Sequence, residues 1–591
     1  MTLFVERRRP ALTPDLLVRV ALAWAMICAL LLVTTLSAMI GQRFPDPDDT
    51  LRLVQVRDLL AGQGWFDLAQ HRAGATPMHW SRLVDLPIAA VILAVGTFAS
   101  APAAEMTALI VVPLLTLFAC LFLVGRVAWR ILGDELAVFA CLSFAFCVPV
   151  IEQLRPMRID HHGWQIAAVL LALNGLMARS PRAGGWLVGG GLALALAISL
   201  EGLPIAAVFM GVLALRWLRS RADRQWLVSA MQSLALVSLA LHGATRGLDL
   251  AANCDAVGPV HLAMFAGGAV VLTITAAREP RPRGAALTGF ALAAGGALGI
   301  LLLATPQCAN GAFAALDPLS RAMWYDRIRE GMPIWQQSLP VVLQTLLPPV
   351  IALAATFRLA GRASGWLRCW WIDYAILLGA ALAVSVFVAR AGAVAGALAA
   401  IPLGWQLREW LRGARHLKRP LKKAMIYGGI SVALVPAAPA LLLVSAVPGQ
   451  AQLSSGNGRP PPPGRCGLSS RPVTLAALPA GTVLAPLDVA PQILLATRHS
   501  VLATGHHRAP RMAAVIAAFL APPAEARAIA LRNGVDYVAL CPDVAEPQNY
   551  AHDAPRGLSA RLLAGDPPAW LEPVPRRGDD GWQVWRMRPA G

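Results

Sequence analysis

Apolar residues in this chain gather into continuous windows of about 15 to 23 residues, separated by short stretches that are polar or rich in arginine. Continuous apolar windows predict helices. A helix satisfies its own backbone in hydrocarbon, and a membrane β-barrel would need alternating strands. The windows run Val20–Ile40, Met106–Val124, Leu136–Ile151, Trp164–Ala178, Trp186–Leu200, Leu203–Leu215, Trp226–His242, Val260–Ala277, Ala285–Ala304, Leu339–Phe357, Trp370–Val388, Ala391–Trp405 and Met425–Val447. They predict a polytopic α-helical membrane protein of about thirteen spans. One further window, Leu86–Ala101, is left over.

Composition agrees: 57% of the 591 residues are hydrophobic and 14% are charged, with a mean hydropathy of +0.58. The net charge of +18 is mostly arginine clustered between windows, which is an orientation signal and not a nucleic-acid footprint. Placing Arg7, Arg8 and Arg9 in the cytoplasm makes the first window a retained span and not a cleaved signal. Arg126, Arg130, Arg179, Arg182, Arg216, Arg219, Arg221, Arg224, Arg278, Arg281, Arg283, Arg358, Arg362, Arg368 and the segment Arg408–Lys423 then all fall on the cytoplasmic side. Counting Leu86–Ala101 as a crossing would invert every cluster after it. That window is therefore expected to lie in, or dip into, the external leaflet.

Three regions follow: a membrane region 1–449 with a first external loop 41–105, a linker 450–465, and an external tail 466–591. The linker carries Ser-Ser-Gly-Asn-Gly and a proline run, a composition that builds no core. Short strand-like runs around the helical stretch Arg511–Leu531 predict a small C-terminal α/β domain, periplasmic in a bacterial inner membrane. Cys254 and Cys308 fall in external loops, and Cys466 and Cys541 in the tail; each pair is either a disulfide or two free thiols. His506 and His507 are adjacent, lack a third ligand at metal spacing, and are expected on a surface loop, where His506→Ala should leave turnover within a few fold.

Candidate chemistry concentrates on the external side. Phe44-Pro-Asp-Pro-Asp-Asp-Thr50 follows the first span directly, and carboxylates this dense beside lipid need a reason. Asp46, Asp48 and Asp49 offer oxygen ligands for a divalent cation, or a general base; equally, Asp48 or Asp49 caps the amphipathic helix beginning at Thr50, with Leu51, Val54, Leu59 and Leu60 on one side. His79 and Arg82 suit a phosphate or an anionic headgroup, and Trp80 an interfacial belt; a plain anchor is the alternative. Arg158-Ile-Asp-His-His162 precedes another span and is a compact catalytic-type group built on Asp160, His161 and His162. Glu201, with no basic residue near in sequence, is a further catalytic candidate or a snorkelling acid at a helix break.

An acidic motif after the first span, a second before the fourth, and an external tail together resemble the GT-C glycosyltransferases, above all the catalytic subunit of oligosaccharyltransferase. The resemblance implies a metal, Mg or Mn, and an acceptor held by Asp46, Asp48 and Asp49 with Asp160, His161 and His162. It also implies that the loop Thr305–Pro340, carrying Arg321, Trp324 and Glu330, helps close the site. The implied partners are a polyprenyl-phosphate-linked sugar, a periplasmic acceptor and membrane lipid. The family's Thr-Ile-x-Glu motif is absent from the loop. The family's tryptophan-rich acceptor motif is absent from the tail, and Trp370-Trp-Ile-Asp-Tyr374 echoes it only at the cytoplasmic start of a span, so Asp373→Ala is expected to leave turnover within a few fold. A carboxylate, Asp48 or Asp49, would activate the acceptor or bind the metal, and Arg158, His161 or Arg82 would stabilise the departing phosphate. With no covalent carboxylate nucleophile indicated, the transfer would be inverting. The competing readings are a transporter or flippase of envelope material, whose ionisable groups would sit near the midplane, and a scaffold whose tail binds cell-wall material.

Overall fold

The computed structural model describes residues 12–251, 253–278, 283–446, 466, 471–578 and 580–588. Arg7, Arg8, Arg9, Arg281 and the 450–465 linker lie outside the described residues. The molecule is mostly helical and has the architecture of a membrane protein. Among the described residues nine helices are long and apolar enough to span a bilayer, from Pro14–Ile40 to Gly365–Phe387. The remaining windows also become helices, each with a feature that sets it apart. Asp134–Phe146 and His162–Gly175 have 13 and 14 residues, Gly392–Arg415 ends in Arg408, Glu409, Arg412 and Arg415, and the last window breaks at Pro436 into Pro420–Leu434 and Ala437–Ala446.

The leftover window forms Arg82–Gly96, 15 residues that pack back against Ala101–Leu132 through Ile88, Ala89, Ala108, Leu109 and Val112. At 1.5 Å per residue it is about 22 Å long, short of a hydrocarbon core of about 30 Å.

Charge pairs mark both ends of the bundle. At one end Arg412 and Arg408 meet Glu135, Arg362 meets Glu409, and Arg126 donates to Asn174. The far ends of the same bundle carry Asp160, Glu201 and Arg390.

Strands β1 (Ala69–Gln70) and β2 (Thr76–Pro77) form a small ribbon in the first loop. The tail holds a five-stranded sheet of β3 (Thr482–Leu484), β4 (Ser500–Val501), β5 (Tyr537–Leu540), β6 (Leu571–Pro573) and β7 (Gln583–Met587), ordered β4-β3-β5-β7-β6. β3 runs parallel to β4 and β5; β7 is antiparallel to β5 and β6. Both cysteine pairs form disulfides, Cys254–Cys308 and Cys466–Cys541.

The tail is not a free appendage. Leu51, Val54, Met78 and Trp80 of the first loop share a core with Val483, Ile493 and Trp582 of the tail, while Leu53 and Val56 pack toward Ile88 and Leu109. The helix Pro47–Leu60 is therefore buried on two sides, between the membrane helices and the tail. Arg72 and Arg57 complete the seam: Arg72 donates to the carbonyls of Thr497 and Leu494, and Arg57 to that of Leu495. The 305–338 loop joins the same assembly, with Leu316, Leu319, Met323 and Trp324 against the tail's second core.

Candidate active site

The first acidic motif starts a helix. Asp46, not Asp48 or Asp49, is the N-cap of Pro47–Leu60: its backbone is extended and its carboxylate accepts from the Asp48 N–H at 2.9 Å. Pro47 at the first helical position loses nothing by lacking an N–H, so the helix begins three residues earlier than expected. Asp48 and Asp49 follow in the first turn.

Asp49 is wholly buried and accepts three hydrogen bonds from the second motif, from the backbone N–H of Ile159 at 2.8 Å and of Asp160 at 2.9 Å, and from the Arg158 guanidinium at 3.0 Å. Arg158 also reaches Asp46 at 3.4 Å. The two motifs, more than a hundred residues apart, are thereby one unit. Met157, just before Arg158, lies in the left-handed region at φ 73°. Its N–H donates to the Leu109 carbonyl at 2.8 Å, which holds this strained residue in place.

Asp160 is also buried. Its Oδ1 accepts from the His161 N–H at 2.6 Å and lies 2.5 Å from His161 Nδ1, and its Oδ2 lies 3.5 Å from His162 Nε2. Burial alone would raise its carboxyl, but His161, His162 and Arg158 hold it well below the usual carboxylate range. Asp48 goes the other way: burial, then the charges of Asp46, Asp160 and Glu330, push it well above that range, with Arg158 opposing. Neighbouring acids with opposed proton affinities are what acid–base chemistry requires.

The remaining expected residues divide. Glu201 is not unpaired: Arg390, from the turn Ala389–Ala391, bonds it and reaches Glu330 at 3.4 Å. Arg82 is fully buried, donating to Asp85 and to the carbonyls of Trp65 and Asp67, so it braces the first loop and has no face left for a headgroup. Trp80 is buried too, with the Arg52 guanidinium 4.2 Å from its ring centroid, and is not at a lipid interface. Arg321 donates to the Phe313 carbonyl and lies over Tyr325, and Trp324 packs on the tail beside Gly505. His79 meets His506 at 2.9 Å, and His506 is buried, which corrects the expectation of a surface loop without a third histidine.

Sequence reasoning missed Arg52, Asp85 and Asp488, and did not assign Glu330 or Arg390. Arg52 bridges Asp85 at 3.0 Å and approaches Asp160 at 3.7 Å. Its signal was legible: an arginine one turn beyond Asp49, inside an apolar pattern. Asp488, a lone acid in the apolar run 485–490 with an exposed side chain, is pushed up to about 6 by the protein packed around its carboxyl and then by the charge of Asp46, so the tail lies within reach of the first motif.

Among the described residues, Asp160, His161 and His162 have ligand atoms within 4.8 Å of one another; Asp46 and Asp48, expected as ligands with Asp160, are not in that group. The fit to a divalent cation rests on the donor set of carboxylates and imidazoles and on Asp48, half-buried among like charges that Arg158 only partly offsets.

No protein-family model matches the chain, and no curated protein matches it significantly by sequence. Solved structures do. The oligosaccharyltransferase of Archaeoglobus fulgidus, tethered to an acceptor peptide containing the NVT sequon, superposes with a TM-score of 0.62 at 14% identity, over 96% of this chain and 74% of that one. The same organism's oligosaccharyltransferase AglB with an inhibitory peptide and a dolichol-phosphate gives 0.59 at 13% identity, over 92% and 72%. Its complex with Zn and sulfate gives 0.57 at 12%, over 90% and 70%. At these identities the likeness is one of fold: the chain shares the fold of the archaeal oligosaccharyltransferase.

Proposed function

We propose that this chain is a membrane glycosyltransferase that moves a sugar or oligosaccharide from a polyprenyl-phosphate carrier to an acceptor on the periplasmic face of a bacterial inner membrane. The observation that carries the reading is the junction of the two acidic motifs through Asp49, on a fold whose solved examples hold a dolichol-phosphate or an acceptor peptide. Fold alone would not suffice.

In the reaction the acceptor attacks the anomeric carbon, the carbon–oxygen bond to the carrier breaks, and the phosphate leaves with the bonding pair. Asp48 takes the acceptor's proton, or holds the acceptor through it. Its raised proton affinity suits that task, whereas Asp160 stays ionised. Arg158, ion-paired with Asp46 and Asp49, is the cation that would stabilise the developing phosphate charge. Asp46, Asp48, Asp160 and His162 would hold a divalent cation such as Mg or Mn, which when bound supplies positive charge to the carrier phosphate. Asp49 is a positioning residue, since its oxygens are spent on Arg158 and the backbone of the second motif. Glu201 with Arg390 holds the 305–338 loop at the rim.

In cells that make the protein, Asp48→Asn and Asp160→Asn at wild-type expression should accumulate lipid-linked sugar and lose the transferred product. Unchanged transfer by both variants would overturn the proposal.

A further inference from the structure

A second cluster lies beside the acidic site, at the seam between first loop and tail. His79 comes from the segment after β2, and His506 and His507 come from the segment after β4. One ring nitrogen from each of the three lies within 4.8 Å of the others. The ring centroids are 5.0 Å apart for His79 and His506, 4.7 Å for His79 and His507, and 4.6 Å for His506 and His507.

Two further features belong to metal sites. His507 Nε2 is bonded to Asp255, a carboxylate that also receives Arg508; a carboxylate behind the imidazole is the usual way a ligating histidine is oriented. Asp255 is itself fixed, because its neighbour Cys254 is bridged to Cys308 of the 305–338 loop. The backbone carbonyl of His79 receives Arg246, so that ligand segment is pinned as well.

We propose that His79, His506 and His507 form a metal site, separate from the acidic one, that takes a Zn2+-type ion and ties the tail to the first loop. Three imidazoles without a carboxylate in the set select a borderline transition ion over Mg2+ or Ca2+. The nitrogens of His79 and His506 face each other at 2.9 Å and would open slightly to admit the ion between them. The adjustment costs one tautomer shift on His506, whose Nδ1 stands 3.3 Å from the Arg508 N–H. The site is independent of the sugar-transfer reading, because none of its ligands belongs to the acidic motifs.

The test uses the purified full-length protein in detergent, loaded with Co2+ as the probe and read by its visible d–d absorption. Three nitrogen donors in a four-coordinate site give intense bands; a carboxylate-rich octahedral site gives weak ones. Wild type and Asp48→Asn should both show the intense band at about one equivalent, and Zn2+ should abolish it by displacement. His79→Gln and the double variant His506→Ala, His507→Ala should each lose it, while Asp255→Asn should weaken Zn2+ binding roughly 10–100-fold. Zn2+ should raise the melting temperature of wild type, and a chelator should reverse the rise. No intense band in wild type would mean that the histidines are joined by an N–H···N bond only, and would overturn the proposal. So would a band that survives in folded His79→Gln. Loss of the band in Asp48→Asn alone would place the ion in the acidic site instead and would overturn it equally.

Discussion

Asp48 holds its proton more tightly than an ordinary carboxyl because burial and the charges of Asp46, Asp160 and Glu330 all oppose its ionisation. If turnover needs the carboxylate, activity is lost on acidification at a higher pH than the usual value of about 4 would give. The acidic limb of the pH–rate profile is therefore expected above that value, and added Mg2+ or Mn2+ should move it to lower pH by favouring the charged form. A limb that metal leaves in place would count against a shared site. Asp373 has a structural part instead. Its carboxylate is buried between Arg216 at 2.7 Å and Arg219 at 2.6 Å, so Asp373→Ala strands a buried guanidinium, a cost in stability separate from the expectation that turnover stays within a few fold. A loss of about 3–5 kcal/mol in stability is expected, read as a lower melting temperature, where a null variant would shift by under a degree or so. Asp46, Asp48 and Asp160 were legible as candidates because carboxylates beside lipid are costly. Their partners were not, since Asp49 pairs across more than a hundred residues and Glu201 across 189.

At the scale of elements, the helix Pro47–Leu60 was legible in its apolar spacing, but not in its surroundings. Leu51 and Val54 find the tail and Leu53 and Val56 find the membrane helices, and only the folded chain shows that both faces are covered. The 305–338 loop was legible as polar; its short turns have no periodicity to read, and its docking depends on residues far away. Arg390 bonds Glu201 and Glu330, and the Ala389 N–H bonds the Met332 carbonyl at 3.1 Å, so this corner anchors the loop. Arg390→Ala should free it, and limited proteolysis should cut within 305–338 several times faster than in wild type. Equal rates would mean that the packing of Leu316, Leu319 and Met323 on the tail is sufficient by itself.

For the whole molecule, Arg408 and Arg412 pair with Glu135 at one end of the bundle and the acidic motifs lie at the other. The docking of the tail could not be read, because it rests on tertiary pairs such as Asp255 with His507 and Arg508. Burial would raise the Asp255 carboxyl, yet those two partners hold it well below its ordinary value. Because the folded value is depressed, the stabilisation is complete above the unfolded value of about 4 and is lost as pH falls through the folded one. Asp255→Asn should thus melt lower than wild type at pH 7, with the difference shrinking only below about pH 4. The central claim is that the joined acidic motifs cleave a sugar–phosphate bond, and its most direct measurement is release of polyprenyl phosphate from polyprenyl-phosphate-linked sugars by the purified protein in lipid nanodiscs. Wild type should release the carrier in a manner dependent on the protein and increased by Mg2+ or Mn2+, and Asp48→Asn should be slower by about a hundredfold while melting near wild type. Release by folded Asp48→Asn at the wild-type rate, or none by wild type from any such donor, would contradict the account.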